Sequence, residues 1–153
     1  NIPDFSNRNQ EIIIMPTISL DNHTIRTMAF FKDKTGVSPI NCMGVDGSII
    51  FVVESGSAKK AVGQNGEKVK AISHALKKDI KIVERGKTME DTIEKFIYPI
   101  PFNSSKVVRG TLAILLKNPA DRKKLNGNGK KTLRQLKEIV KMYHQNVRNV
   151  QLI

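Results

Sequence analysis

Hydrophobic positions recur along this chain with two periods, and the period changes at glycines, prolines and Asp-Gly or Asn-Pro pairs. Asp21 stands where it can cap a helix running to about Thr35, with Ile25, Met28, Ala29 and Phe31 or Lys32 on the apolar face and Gly36 as the stop. Residues 37–45, carrying Pro39, Ile40 and Cys42, predict an edge strand. Asp46-Gly47 is a two-residue hairpin signal, and residues 48–54 form an unbroken apolar strand of the kind that lies mid-sheet. Ser55-Gly56-Ser57 opens a short helix over residues 58–62. Gly63-Gln64-Asn65-Gly66 interrupts it, and a second helix starts at Glu67 with Val69, Ile72 and Leu76 as its stripe. Ile80 and Ile82, alternating with Lys81 and Val83, close the segment as a strand.

The pattern then begins again. Thr88 with Asp91 three residues on is a capping signal, and Met89, Ile93, Phe96 and Ile97 share one helical face that Pro99 and Pro101 end. Residues 106–108 and 111–117 predict two strands about Gly110. Asn118-Pro119 predicts the N-cap and first turn of a short helix. Asn126-Gly127-Asn128-Gly129 breaks that helix. Residues 131–143 resume with the stripe Leu133, Leu136, Val140 and Tyr143, and residues 147–153 predict a last strand. Residues 20–85 and 88–153 each span 66 positions in the same element order, which marks an internal repeat. A unit of that size buries only about 60% of its unfolded surface. With Gly86-Lys87 as the whole linker, the two units are expected to pack as one rigid body. The first fourteen residues read as a flexible tail. The units are then 15–86 and 87–153.

Charge sharpens this picture. Lys and Arg number 26 against 14 Asp and Glu, a net charge of +12 on 153 residues. Such an excess favours a polyanionic partner, because Lys and Arg displace counterions from phosphates. A membrane surface would favour a basic amphipathic helix carrying Trp, and the chain has no Trp. No apolar run approaches the ~20 residues of a membrane span. The single cysteine, Cys42, cannot form an internal disulfide, so a soluble, cytoplasmic protein without a membrane partner is expected.

The segment Ala61-Val62-Gly63-Gln64-Asn65-Gly66-Glu67-Lys68-Val69-Lys70-Ala71-Ile72 carries the sharpest chemistry. Two glycines let the backbone turn tightly between helices. The N–H groups at the start of the second helix can then face a phosphate, helped by the helix dipole. Gly63 and Gly66 would shape a clamp, Gln64 and Asn65 would present the loop, and Lys60, Lys68 and Lys70 would supply positive field. Val62, Val69 and Ile72 would floor a groove for bases. The plain alternative is a glycine turn between two core helices.

The second copy is degenerate. Either Asn126 stands in place of the first glycine, or Gly127 is that glycine and Lys130 replaces the last one. The latter register puts Leu133 where Val69 lies in the first copy. Between Arg122 and Lys141 lie eight basic residues and one acid, Glu138. This basic run is expected to face RNA, with Gly127, Asn128 and Gly129 forming the loop and Lys130, Lys131 and Arg134 supplying part of the attraction.

The doubled unit with Gly63-Gln64-Asn65-Gly66 resembles tandem type II KH domains, and it is similar to the archaeal NusA-like transcription factors. Thr35-Gly36, Cys42, the strand at 48–54, the frame 61–72, Asp79-Ile80-Lys81-Ile82-Val83-Glu84 and the strand at 147–153 carry the likeness. It implies an α/β (α+β) fold of two tandem type II KH domains, each a three-stranded mixed sheet covered by helices. It also implies a factor of transcription elongation or termination that clamps single-stranded RNA, with RNA polymerase or the ribosome as a further partner. The alternative is a ribosome-associated or structural KH protein docking on rRNA or on another protein.

Other chemistries find no support. Gly129-Lys130-Lys131-Thr132 resembles a P-loop end, but Lys124 holds the earlier glycine position and Lys131 displaces the hydroxyl residue. His23, His74 and His144 lack matched acidic or cysteine partners. No enzyme activity, metal or cofactor is therefore expected. Aromatic residues make up only 5% of the chain, which argues against a sheet that stacks bases on Phe and Tyr.

Overall fold

A computed structural model describes residues 21–153, so the expected tail at 1–14 lies outside the described residues. Helix α1 (Asn22–Thr35) starts where Asp21 accepts the Thr24 N–H at 2.8 Å. It stops at Gly36, whose φ of 76° no β-carbon residue adopts readily. Its buried face differs from the expected one: Thr27, Phe31 and Thr35 point inward, while Ala29 is exposed and Ile25 is 49% exposed. The Phe31 ring stacks on Phe51 with centroids 4.2 Å apart, and that contact sets the rotation of the helix. The buried threonines cost little, because their hydroxyls donate to the His23 and Phe31 carbonyls, each at 2.8 Å.

Strand β1 (Asn41–Val45) turns through Asp46-Gly47, at φ 51° and 78°, into β2 (Ser48–Val53). The first strand is shorter than expected; Pro39 has no N–H to give a ladder, although the Ile40 N–H reaches the Val52 carbonyl at 2.7 Å. Helices α2 (Ala58–Val62) and α3 (Glu67–Leu76) cross over to β3 (Asp79–Glu84), which runs parallel to β2. The sheet order is β1-β2-β3, with β2 central.

Helix α4 (Met89–Ile97) is capped by the Thr88 hydroxyl, which accepts the Asp91 N–H at 3.1 Å. Strands β4 (Phe102–Val108) and β5 (Thr111–Leu116) form an antiparallel pair, α5 (Asp121–Val140) crosses over, and β6 (Asn149–Leu152) lies parallel to β5. This second sheet has the order β4-β5-β6. The last helix ends at Val140 rather than 143 and the last strand spans 149–152 rather than 147–153, and two other boundaries also depart from expectation. Strand β4 begins four residues earlier than residue 106, with a register shift between Phe102 and Ser104. Helix α5 begins at Asp121 rather than at Asn118-Pro119, because the Asp121 N–H bonds the Asn118 carbonyl at 3.0 Å and closes a turn there first.

The core explains why β2 is apolar without interruption. Its alternate residues face opposite ways. Phe51 and Val53 pack with Phe31, Val37, Cys42, Ala61 and Ile72. Ile50 and Val52 join Val45 and Val83 in a second cluster that also holds Met89, Ile93 and Phe96 of α4, Leu112 and Ile114 of β5, and Leu136 and Ile139 of α5. One hydrophobic mass thus belongs to both sheets. Chain length alone would have left each half marginal, and this shared burial supplies what a 66-residue unit lacks.

Candidate nucleic-acid interface

Helix α2 ends at Gly63, with φ 80° and ψ 172°, and a single 3-10 turn over Gln64–Gly66 leads into α3. A β-carbon on Gly63 would sit 2.7 Å from Lys68 Cγ and 3.1 Å from the Lys68 backbone nitrogen, so only glycine fits there. Asn65 and Gly66 both lie in the left-handed region, at φ 55° and 73°. The Gly63 N–H donates to the Lys59 carbonyl at 3.1 Å, that of Gly66 to Gly63 at 3.2 Å, and that of Glu67 to Gln64. Among the described residues the Gln64 and Asn65 N–H groups have no backbone partner, and both side chains are exposed. The available donors therefore sit at the loop apex, one step earlier than the start of α3.

Around this apex the predicted residues separate into two sets. Lys60 and Lys70 are exposed, and Val62 and Val69 are half-buried beside the loop. Lys68 is tied inward: its ammonium donates to the Thr35 and Lys60 carbonyls, each at 3.1 Å, and so straps the C-terminal ends of α1 and α2 together. Ile72 has no exposed surface and packs in the core with Phe31, Phe51 and Ala61, so it is not placed to meet bases. Glu84 caps α2 by accepting the Ala58 N–H at 3.1 Å. Burial would raise its carboxyl, but the Ala58 and Gly56 N–H groups and Lys95 hold it below the usual carboxylate range.

In α5 the backbone leaves the helical region at Gly127, Asn128, Gly129 and Lys130. Gly127 (−65°, 167°) matches Gly63 (80°, 172°) in ψ but not in φ, and Asn128 is left-handed at φ 54° where Gln64 is not. Gly129 (64°, 32°) and Lys130 (65°, 28°) repeat the left-handed pair Asn65 (55°, 25°) and Gly66 (73°, 18°). Of the two registers open from the residues alone, the geometry selects the one in which Gly127 is the first glycine and Lys130 replaces the last. A lysine held at φ 65° is strained. Lys130→Gly is expected to raise stability by about 1 kcal/mol, read as a higher denaturant midpoint with an unchanged slope.

The basic run of α5 has more counter-charge than its own segment supplies. The Arg134 guanidinium donates to Asp46 at 2.6 Å and to the Gly129 carbonyl, and Lys131 lies 3.9 Å from Asp79. Lys124 pairs with Asp121 at 3.5 Å and Lys141 with Glu138 at 3.0 Å. Arg122, Lys123, Lys130 and Lys137 have no acidic partner among the described residues. Exposed pairs of this kind are worth about 0–1 kcal/mol, so phosphates can compete for these cations.

A groove of about 410 Å³ runs between α5 and β6. Arg122, Lys130, Lys137 and Arg148 rim it, and Leu133, Val150 and Leu152 give it an apolar lining. Arg148 and the β6 residues were not among the predicted site residues. Parallel pairing of β6 with β5 is what brings them beside α5, and the basic Arg148 next to a closing strand is the one sequence signal that pointed to them.

The remaining candidates are quiet. His23, His74 and His144 are exposed, and no cluster that could hold a metal occurs among the described residues. Burial, with Asp21 nearby, pushes the Cys42 thiol up to about 11, which leaves it a protonated core residue. No described helix is long and apolar enough to cross a membrane.

A profile of the KH domain matches residues 27–111, from within α1 to the first residue of β5. The chain belongs to the KH domain family. Its relatives mark it as NusA-like within that family. A probable transcription termination protein NusA of Methanocaldococcus jannaschii is 25% identical over 142 residues, covering 91% of this chain and 77% of that protein. A second, of Halococcus morrhuae, is 29% identical over 82 residues, covering 54% of this chain and 59% of its own length. A third, of Methanococcus vannielii, is 30% identical over 83 residues, which is 48% of its length. The matched stretches thus span between about half and three quarters of these relatives. The crystal structure of APE1850 superposes with a TM-score of 0.78 at 23% identity, over 88% of this chain and all of that one, so the two share a fold.

Proposed function

We propose that this KH protein is an RNA-binding transcription factor, acting in elongation or termination, and that it is no enzyme. Its two halves, 15–86 and 87–153, act as tandem type II KH units that clamp single-stranded RNA. The observation that carries the reading is the apex at Gln64 and Asn65, where exposed backbone donors project between two helices into a basic surround. Such a loop holds about four backbone nucleotides in KH modules. A left-handed pair like Asn65-Gly66 recurs at Gly129-Lys130, beside a basic groove with an apolar floor of the kind that bases can enter. In the first unit Gly63 and Gly66 shape the loop, Lys60 and Lys70 supply field, and Val62 and Val69 meet the bases. In the second, Lys130 and Lys131 act with Arg134 once phosphate draws it from Asp46.

The relatives' names, transcription termination protein NusA, support transcription as the setting, and RNA polymerase is the protein partner that this setting suggests. Fluorescence anisotropy with a short single-stranded RNA and its duplex, over rising salt, tests the reading. Expected is preference for the single strand, with affinity falling linearly in log salt as counterions are recaptured. Equal binding of duplex and single strand, or no binding of the single strand at low salt, overturns it.

A further inference from the structure

We infer that Tyr98 stacks a nucleobase at the junction between the two halves of the chain; the inference rests on the RNA-clamping reading. Among the described residues Tyr98 is the aromatic side chain that stands mostly in solvent, at 79% exposure. The other tyrosine, Tyr143, is half-buried with its hydroxyl 2.7 Å from that of Thr92. A large aromatic left in water on a protein with so few of them needs a reason, and its position offers one.

Tyr98 follows the last turn of α4 and precedes Pro99, whose ring restricts the backbone on both sides of the bond. The ring is therefore presented from a stiff point rather than from a loose loop. It borders a cavity of about 360 Å³ whose apolar wall is formed by Ala58, Ile82 and Phe96. Ala58 opens α2, the helix that leads into Gly63, and Ile82 lies on β3, the edge strand of the first sheet. The cavity is thus continuous with the elements that build the first loop, while its far wall comes from the second half of the chain. Lys81, with its ammonium 4.3 Å from the Phe96 ring centroid, adds a cation at the same place; Glu84, which Lys95 pairs at 3.5 Å, and Glu94 share the lining, so a base rather than a phosphate is what the cavity suits. An aromatic face, an apolar wall and a nearby cation are the parts from which sequence-tolerant base stacking is made.

The chain has no Trp and two Tyr, so tyrosine emission reports on this ring. A mixed-sequence single-stranded RNA titrated at fixed salt is expected to quench the emission of the parent. In Tyr98→Phe most of that quenching disappears while affinity stays within about twofold, because phenylalanine keeps the stacking face. Tyr98→Ala is expected to bind about tenfold more weakly, with unchanged melting, since removing a stacking aromatic commonly costs about five- to a hundredfold. Parent-like affinity in Tyr98→Ala overturns the inference, and the RNA reading stands if Gln64→Asp/Asn65→Asp nonetheless loses binding. A parent that binds no single-stranded RNA overturns the RNA reading itself.

Discussion

Gln64→Asp/Asn65→Asp is expected to weaken single-stranded RNA binding by about fifty-fold at moderate salt. Both side chains are exposed at the apex, so the substitution leaves the core untouched, and Asp accepts the left-handed conformation at position 65 nearly as well as Asn does. What changes is the charge presented beside the two free N–H groups. Each new carboxylate faces phosphate at a separation where like charges near a protein surface repel by about 1–4 kcal/mol. Two of them, partly relieved by Lys60 and Lys70, amount to about 2–3 kcal/mol, and every 1.4 kcal/mol is a factor of ten. The loss should shrink as salt rises, because the repulsion is screened. A double variant that binds as tightly as the parent at matched salt removes the loop from the interface.

The second large effect concerns folding. Ile50→Ala is expected to cost about 2–5 kcal/mol, the range for truncating a fully buried aliphatic side chain. Ile50 has no exposed surface and belongs to the cluster that also contains Leu112, Ile114, Leu136 and Ile139. The loss should therefore reach both sheets. Far-ultraviolet circular dichroism is expected to show one transition, lowered by roughly 10 °C given about 2–4 °C per kcal/mol for a chain of this size. Amide exchange of β2 and β5 should accelerate together. Two separate transitions, with the β5 amides still protected while the first sheet melts, would show that the cluster does not couple the halves.

What could be read from the residues was mostly what neighbours in sequence decide. The unbroken apolar run of β2 announced its central place, and the Asp46-Gly47 turn, the Thr88 cap and the Gly36 stop follow from contacts within a few positions. The buried face of α1 did not, because Phe51, twenty residues away, chooses which side of the helix turns inward. The start of α5 is a local contact that was still missed, because the Asp121 N–H closes a turn on the Asn118 carbonyl before the expected cap can act. At the candidate site the loop residues were legible as a motif, yet their electrical state was not. Arg134 meets Asp46 across 88 positions, and Lys68 spends its charge on the carbonyls of Thr35 and Lys60. The register of the second loop needed backbone angles, since Lys130 occupies a conformation that its side chain argues against.

The hydrophobic mass joining the two sheets has one more implication. With Ile50 and Val52 pressed into the same cluster as Leu112 and Leu136, no hinge can bring the Gly63 and Gly127 bends nearer or move them apart. On the proposed RNA-clamping reading, a strand that touched both bends would cross a set interval, and the fold would act as a ruler for the spacing of its two contact points.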